Sequence, residues 1–74
     1  MSDQERILIE NTLNYITEAM LEKYSKNHNI SFNNALNLFT KSKTYVALHD
    51  FDTLIYREGP DYLLELFERE LKQK

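Results

Sequence analysis

The chain has 74 residues, of which 42% are apolar and 28% charged, with one glycine, one proline and no cysteine. The lack of cysteine excludes a disulfide scaffold, a thiolate metal site and a cysteine nucleophile, and the many leucine, isoleucine and aromatic residues exclude a disordered tail. A net charge of −3 argues against tight non-specific binding to nucleic acid or anionic lipid. The apolar runs are too short to span a membrane, and the first residues do not match a secretory signal.

The scarcity of glycine and proline predicts an all-α fold, because β-rich domains need many turns built from these residues. We expect a single helical domain over residues 1–74, folded as a compact bundle of three to four helices. One irregular segment is predicted near residues 50–58, where a lone stretch of β-type residues has no strand to pair with. Leu54 and Tyr56 are expected to pack this segment against the bundle.

A first helix is predicted from about Asp3 to Ser25. Ser2 and Glu5 form a capping box at its start. The run Asn27–Asn29 should end it, since asparagine tolerates the left-handed conformation found after helix ends. Apolar residues recur at the helical period to form the predicted core stripe of this helix: Ile9, Leu13, Ile16, Met20 and Tyr24.

The apolar surface of the first helix is wider than one packing face needs. Four apolar residues are not required for the core stripe: Ile7, Leu8, Tyr15 and Leu21. Because a bundle of this size buries one stripe on each helix, we expect these four residues at a protein–protein interface, most simply that of a homodimer. In the alternative interpretation, the short second and third helices wrap around the first helix and cover two of its faces.

Serines mark the starts of two short helices. Ser31 is the predicted N-cap of the second helix, which should break near Lys41, and Ser42 is the predicted N-cap of a third. The fourth helix is expected from Pro60 to about Leu71, with proline in the first helical position, and it should pair antiparallel with the first helix. Its buried stripe and its solvated acid–base pairs both follow the helical period: Leu63, Leu64, Phe67 and Leu71 for the stripe, and Glu65–Arg69, Glu68–Lys72 and Glu70–Lys74 for the pairs.

The stretch around His49, Asp50 and Asp52 is the candidate for metal chemistry, and a metal-dependent hydrolase is the second alternative function. A transition-metal site needs more ligands than this stretch supplies, and the string does not complete a calcium loop. We therefore expect the two aspartates to cap a turn and His49 to lie at the surface, without a metal or other cofactor. Phosphate-binding glycine loops and nucleophile elbows are missing as well, so no enzyme activity is expected.

Residues 41–48 have a helix–turn–helix character, which makes a DNA-binding regulator the first alternative function. A recognition helix would present Lys43 and Thr44 in its first turn, where such helices contact bases, with Lys41 just before it. The turn lacks the usual glycine, and a DNA-binding protein should show a basic footprint, whereas the net charge here is negative. A bend between two core helices is the simpler expectation, and nucleic acid is not the expected partner.

Three runs carry a resemblance to known proteins: Ala35-Leu36-Asn37-Leu38-Phe39, Ser42-Lys43-Thr44-Tyr45, and the run from Asp52 to Leu63. They resemble a set of short bacterial all-helical proteins without an established activity, over roughly residues 35–71. The resemblance implies a bacterial cytoplasmic protein of similar size and brings no catalytic residue with it. Some related families accompany toxin–antitoxin cassettes, which implies a binding role. We therefore expect a small protein–protein interaction module, working as a homodimer or as an adaptor for one protein partner.

Overall fold

A computed structural model describes residues 3–73, and all of the regular secondary structure in that range is helical. The four α-helices are α1 (Asp3–His28), α2 (Phe32–Thr40), α3 (Lys43–His49) and α4 (Pro60–Lys72). Two single-turn 3-10 helices, Phe51–Thr53 and Ile55–Arg57, lie between α3 and α4. The predicted all-α bundle with one irregular segment is therefore confirmed.

The predicted helix starts at two serines are confirmed. The Ser31 hydroxyl oxygen accepts a hydrogen bond from the backbone N–H of Asn34 at 3.1 Å, and that of Ser42 accepts one from Tyr45 at 3.0 Å. Each serine satisfies a backbone donor that the first turn of its helix leaves without an intrahelical partner. The capping box predicted at Ser2 lies outside the described residues.

Residues suited to positive φ values stand at two helix boundaries. α1 continues about one turn beyond its predicted end, to His28, and the chain leaves it through Asn29 at φ = 54°. Gly59 adopts φ = 89° and precedes Pro60 in the first turn of α4, as predicted. Glycine has no Cβ to clash in this region and asparagine tolerates the left-handed conformation, so both boundaries are set by the local sequence.

The segment between α3 and α4 is irregular, as predicted, but its packing differs from the prediction. Leu54 adopts the left-handed conformation at φ = 57° between the two 3-10 turns, and its side chain is exposed. Ile55 and Tyr56 are partly buried against the core. The prediction that Leu54 packs this segment is therefore wrong, because the chain turns at Leu54 and the next residue takes the inward position.

The core lies where the four helices meet around a group of aromatic rings. Phe67 of α4 is fully buried, and its ring centroid lies 5.3 Å from that of Phe39 and 4.9 Å from that of Tyr24. At these separations aromatic rings interact favourably. Buried aliphatic residues complete the core: Leu13, Ile16, Met20, Leu21, Ala35, Leu48 and Leu63. The predicted stripes of α1 and α4 supply most of them.

α1 and α4 share the most extensive helix–helix contact and run in the same direction. Lys23 forms an ion pair with Asp61, and His28 Nε2 lies 3.6 Å from Glu68 Oε1, so later positions in α1 meet later positions in α4. The predicted antiparallel pairing is therefore wrong. α2, α3 and the two 3-10 turns form a return path between the helices, so the chain has already reversed before α4 begins.

α1 extends beyond the rest of the bundle at its N-terminal end. Its 26 residues correspond to about 39 Å at 1.5 Å per residue, which matches the longest dimension of the described chain, 39 Å. The first buried residue of α1 is Leu13. Residues 3–12, here named the α1 arm, are exposed except for Ile9, which is partly buried against the core. No helix within residues 3–73 combines the length and hydropathy that a membrane span requires.

Candidate protein-interaction surface

Three of the four residues predicted at an interface are exposed. The exposed fraction is 66% for both Leu8 and Tyr15 and 55% for Ile7. Leu21 has an exposed fraction of 0%, so its assignment to the interface is wrong. α1 contacts α2, α4 and the second 3-10 turn, which together cover a wider sector of the helix than one stripe. The alternative interpretation, in which the second and third helices cover two faces of α1, holds for α2 but not for α3: the most extensive cover of the C-terminal half of α1 comes from α4.

A largely exposed strip runs along α1 on the side away from the core. Its members lie seven, four and three residues apart and therefore share one face of the helix: Leu8, Tyr15, Ala19 and Glu22. We name this strip the outer face of α1. A shallow hollow beside it is lined by Tyr15, Glu18, Ala19 and Glu22. A second hollow continues from the two glutamates past Ser25 and Lys26 to Phe32 at the start of α2.

The negative charge of the protein is concentrated on this part of α1. Residues 3–22 carry five carboxylates and one arginine, whereas the rest of the chain carries seven carboxylates and eight lysine or arginine side chains. Arg6 Nε lies 3.7 Å from Glu10 Oε1 on the arm, and Lys23, just beyond this range, pairs with Asp61 of α4. The arm and the outer face therefore present a net negative surface around exposed apolar side chains.

The candidate DNA-contacting turn at the start of α3 is covered by a carboxylate. Glu70 Oε2 accepts a hydrogen bond from the Lys43 backbone N–H at 3.0 Å, and Glu70 Oε1 accepts two from Thr44, from its N–H and its hydroxyl, each at 2.7 Å. Thr44 is buried, so its predicted exposure to bases is wrong. Lys41 and Lys43 are exposed, but the Glu70 carboxylate already accepts hydrogen bonds from the backbone donors at the helix end where DNA would bind.

Glu70 has a structural role that the sequence pattern did not predict. Helical spacing predicts an ion pair with Lys74, which lies outside the described residues. The Glu70 carboxylate also bridges α4 to the first turn of α3, where it accepts hydrogen bonds from backbone donors and lies at the positive end of the helix dipole. We name this arrangement the Glu70 bridge. It joins Glu70 to Thr44 and Lys43, which lie 26 and 27 positions earlier in the chain. No local signal in the sequence specifies such a contact.

The candidate metal-binding stretch forms a capped turn. Asp50 Oδ1 accepts a hydrogen bond from the Asp52 backbone N–H at 3.1 Å, which confirms the predicted cap for Asp50, while Asp52 lies within the turn. The exposed His49 ring packs against Tyr45 with centroids 4.4 Å apart. Across residues 3–73, no group of three histidine or carboxylate side chains converges in a way that could hold a metal ion.

A small cluster at the C-terminal end of α1 contains a tyrosine with a perturbed pKa. Tyr24 is nearly buried, its ring centroid lies 4.2 Å from that of His28, and Glu68 is close to both. Burial raises the pKa of the Tyr24 phenol above 10.0, and the negative charge of Glu68 raises it further. Both effects disfavour the phenolate, so Tyr24 stays neutral in the folded protein to higher pH than an ordinary tyrosine.

We expect the stability of the protein to fall above about pH 10 more steeply in the wild type than in Tyr24→Phe. In the unfolded chain Tyr24 ionises near its ordinary pKa, whereas in the folded protein it keeps its proton, so rising pH favours unfolding. Urea unfolding across the alkaline range measures this difference. Tyr62→Phe, at an exposed position of α4, should retain the wild-type slope, and an unchanged slope in Tyr24→Phe would contradict the assignment.

The structure thus brings Leu8 and Tyr15 onto one exposed face, with Ile7 beside them on the arm. Glu18 and Glu22 were not predicted as site residues. Their positions, three and seven residues after Tyr15, are the sequence signal that places them near Tyr15 on the helix surface. Compared with protein families, with curated proteins and with solved structures, the chain matches none.

Proposed function

We propose that the protein is a small protein–protein interaction module without catalytic activity, and that the α1 arm and the outer face of α1 form its recognition element. The observation that carries this proposal is the exposure of Ile7 and Leu8 on the α1 arm, which extends beyond the bundle, and of Tyr15 on the outer face that continues from it. The resemblance of the sequence to small bacterial proteins supports a cytoplasmic location, and this location forms part of the proposal.

The rest of the bundle contributes little to the stability of the α1 arm. Isolated helices shorter than about 12–15 residues are marginal in water, and only Ile9 of the arm packs against the core. Burial of apolar surface stabilises a complex by roughly 25 cal/mol per Å² before the costs of association. A partner that covers Ile7 and Leu8 would therefore stabilise both the complex and the helical state of the arm.

The spacing of the exposed residues fits the recognition of one helix by another. Leu8 and Tyr15 are separated by two helical turns, so their side chains project from the same face about 10.5 Å apart along the axis. Pairs at this spacing act as anchors when an amphipathic helix packs into a groove, and tyrosine is enriched among residues that dominate interface energies.

The proposal is tested by photo-crosslinking and by substitution, both in cells that express the protein. A photoreactive phenylalanine analogue placed at position 8 should crosslink to one protein, identified by mass spectrometry. Leu8→Glu and Tyr15→Glu should each abolish co-purification of that protein, because a charge would have to be buried in the contact.

Val46→Glu is the matched control, since Val46 is 67% exposed and lies on a different helix, α3. All three substitutions are at exposed positions, so their melting temperatures should stay close to the wild-type value. Retention of the crosslinked protein by both α1 variants, or its equal loss in Val46→Glu, would contradict the proposed surface.

A further inference from the structure

We propose that the segment recognised by α1 is a basic amphipathic helix of another protein. This inference rests on the proposed function and assigns the chemistry of its partner. The observation behind it is the combination of exposed apolar anchors with the Glu18 and Glu22 carboxylates beside Tyr15, on a helix that carries five carboxylates and three lysine or arginine side chains. A surface of this kind is complementary to a helix that carries aliphatic residues on one stripe and lysine or arginine beside it.

The charge distribution argues against a second copy of this chain as the occupant. A symmetric dimer brings the same patch of both subunits together, so it would place two net negative surfaces in contact. Juxtaposed like charges disfavour a complex, whereas opposite charges accelerate encounter and fix its register.

The positions of the carboxylates set where the basic residues of the partner should lie. Glu18 and Glu22 follow Tyr15 by about one and two turns and line the hollow beside it. Ala19 lies between them and is small, which leaves room for the aliphatic stem of a lysine or arginine whose charged end reaches the carboxylates. We therefore expect the partner helix to place an aliphatic residue against Tyr15 and a basic residue about one turn further on.

The same charges disfavour two other kinds of ligand. Nucleic acid and anionic membrane surfaces both require a cationic contact. The apolar residues Ile7 and Leu8 provide no contact for phosphate groups, and Lys26 is the one lysine or arginine that lines the two hollows. A cationic protein segment is the macromolecular ligand that uses both the apolar and the acidic side chains of this surface.

The test uses the full chain and a labelled peptide of leucine and lysine, about 18 residues long and arranged as an amphipathic helix. We expect fluorescence anisotropy to show binding that weakens as salt is raised. The double variant Glu18→Gln/Glu22→Gln should weaken binding about fivefold or more, since each exposed ion pair contributes a few-fold in affinity. Asp52→Asn/Glu58→Gln, which removes two exposed carboxylates from another part of the molecule, should leave it unchanged.

Several outcomes would overturn the basic-helix inference. The first is that a leucine–glutamate peptide of the same pattern binds the protein as tightly as the leucine–lysine peptide. The second is that Glu18→Gln/Glu22→Gln binds the leucine–lysine peptide with unchanged affinity. The third is that sedimentation shows a dimer of the protein, which Leu8→Glu dissociates. If the protein crosslinked from position 8 contacts α1 through a segment that is not basic, this inference fails while the interaction module stands. If no protein depends on Leu8 or Tyr15, the proposed function fails, whatever the peptide does.

Discussion

Replacement of Phe67 with alanine is expected to leave the protein largely unfolded at 25 °C. Phe67 is fully buried and its ring contacts the rings of both Tyr24 and Phe39. Truncation of a buried phenylalanine costs about 3–5 kcal/mol, and a single core of this size rarely supplies more than about 3–5 kcal/mol. The free energy of unfolding should therefore approach zero, which far-ultraviolet circular dichroism and urea titration measure directly.

Tyr62→Ala provides the control on the same helix, because Tyr62 is exposed near the start of α4. Its cost should stay below about 1 kcal/mol, and its unfolding should remain cooperative. A Phe67→Ala variant that unfolds cooperatively with nearly wild-type stability would show that α4 does not seal the core as described. Phe67→Leu should recover part of the lost stability, since it refills part of the cavity with apolar volume.

Removal of the Glu70 carboxylate should lower the free energy of unfolding by about 2–4 kcal/mol in Glu70→Ala. The variant loses three hydrogen bonds to a charged acceptor and leaves the buried Thr44 hydroxyl without that acceptor. Buried polar groups that lose their partner cost about 1–3 kcal/mol each, so the effect exceeds that of an ordinary surface substitution.

Two further variants separate the Glu70 bridge from a general effect of charge on α4. Glu65→Ala removes a carboxylate that lies 2.6 Å from Arg69 in an exposed i,i+4 ion pair, which contributes about 0.3–0.5 kcal/mol. Glu70→Gln keeps one acceptor oxygen and should have an intermediate stability. Urea denaturation of Glu70→Ala, Glu70→Gln and Glu65→Ala under identical conditions measures their free energies of unfolding. An equal loss of stability in Glu70→Ala and Glu65→Ala would refute a special role for the Glu70 bridge.

The parts of the fold that the sequence predicted correctly are those fixed by neighbouring residues. Ser31 and Ser42 cap helices because a hydroxyl lies within reach of an amide three positions along. Asn29 and the pair Gly59-Pro60 mark boundaries through their own backbone preferences. Such signals act over a few residues and do not depend on how the helices later pack.

The predictions that were wrong concern relations between distant residues. Leu21 is buried because several elements surround the C-terminal half of α1. The position of Leu21 in the helical pattern does not indicate how many other elements pack against that half. The parallel sense of α1 and α4 depends on the return path through α2 and α3. The contact of Glu70 with Thr44 was not predicted, because only the assembled bundle brings these two residues together.

The surface of α1 was predictable in outline from an apolar pattern too wide for one stripe. Ile7, Leu8 and Tyr15 are exposed as expected, but which faces remain open depends on where the bundle stops covering the helix. That boundary lies near Leu13, and it follows from the shortness of the other helices relative to α1. Helix lengths therefore carried more information about the site than hydropathy alone.

The parallel pairing of α1 with α4 also determines when the nascent protein can fold. The ion pair between Lys23 and Asp61 joins residues 38 positions apart, and Phe67, which seals the core, is added later still. At about 5–20 residues per second, a ribosome needs roughly 2–8 s to add 38 residues after Lys23 has been incorporated. During that interval the apolar stripe of α1 lacks its main cover, so completion of the core must await synthesis of α4. Translation products that end before Phe67 should therefore be targets for chaperones and proteases.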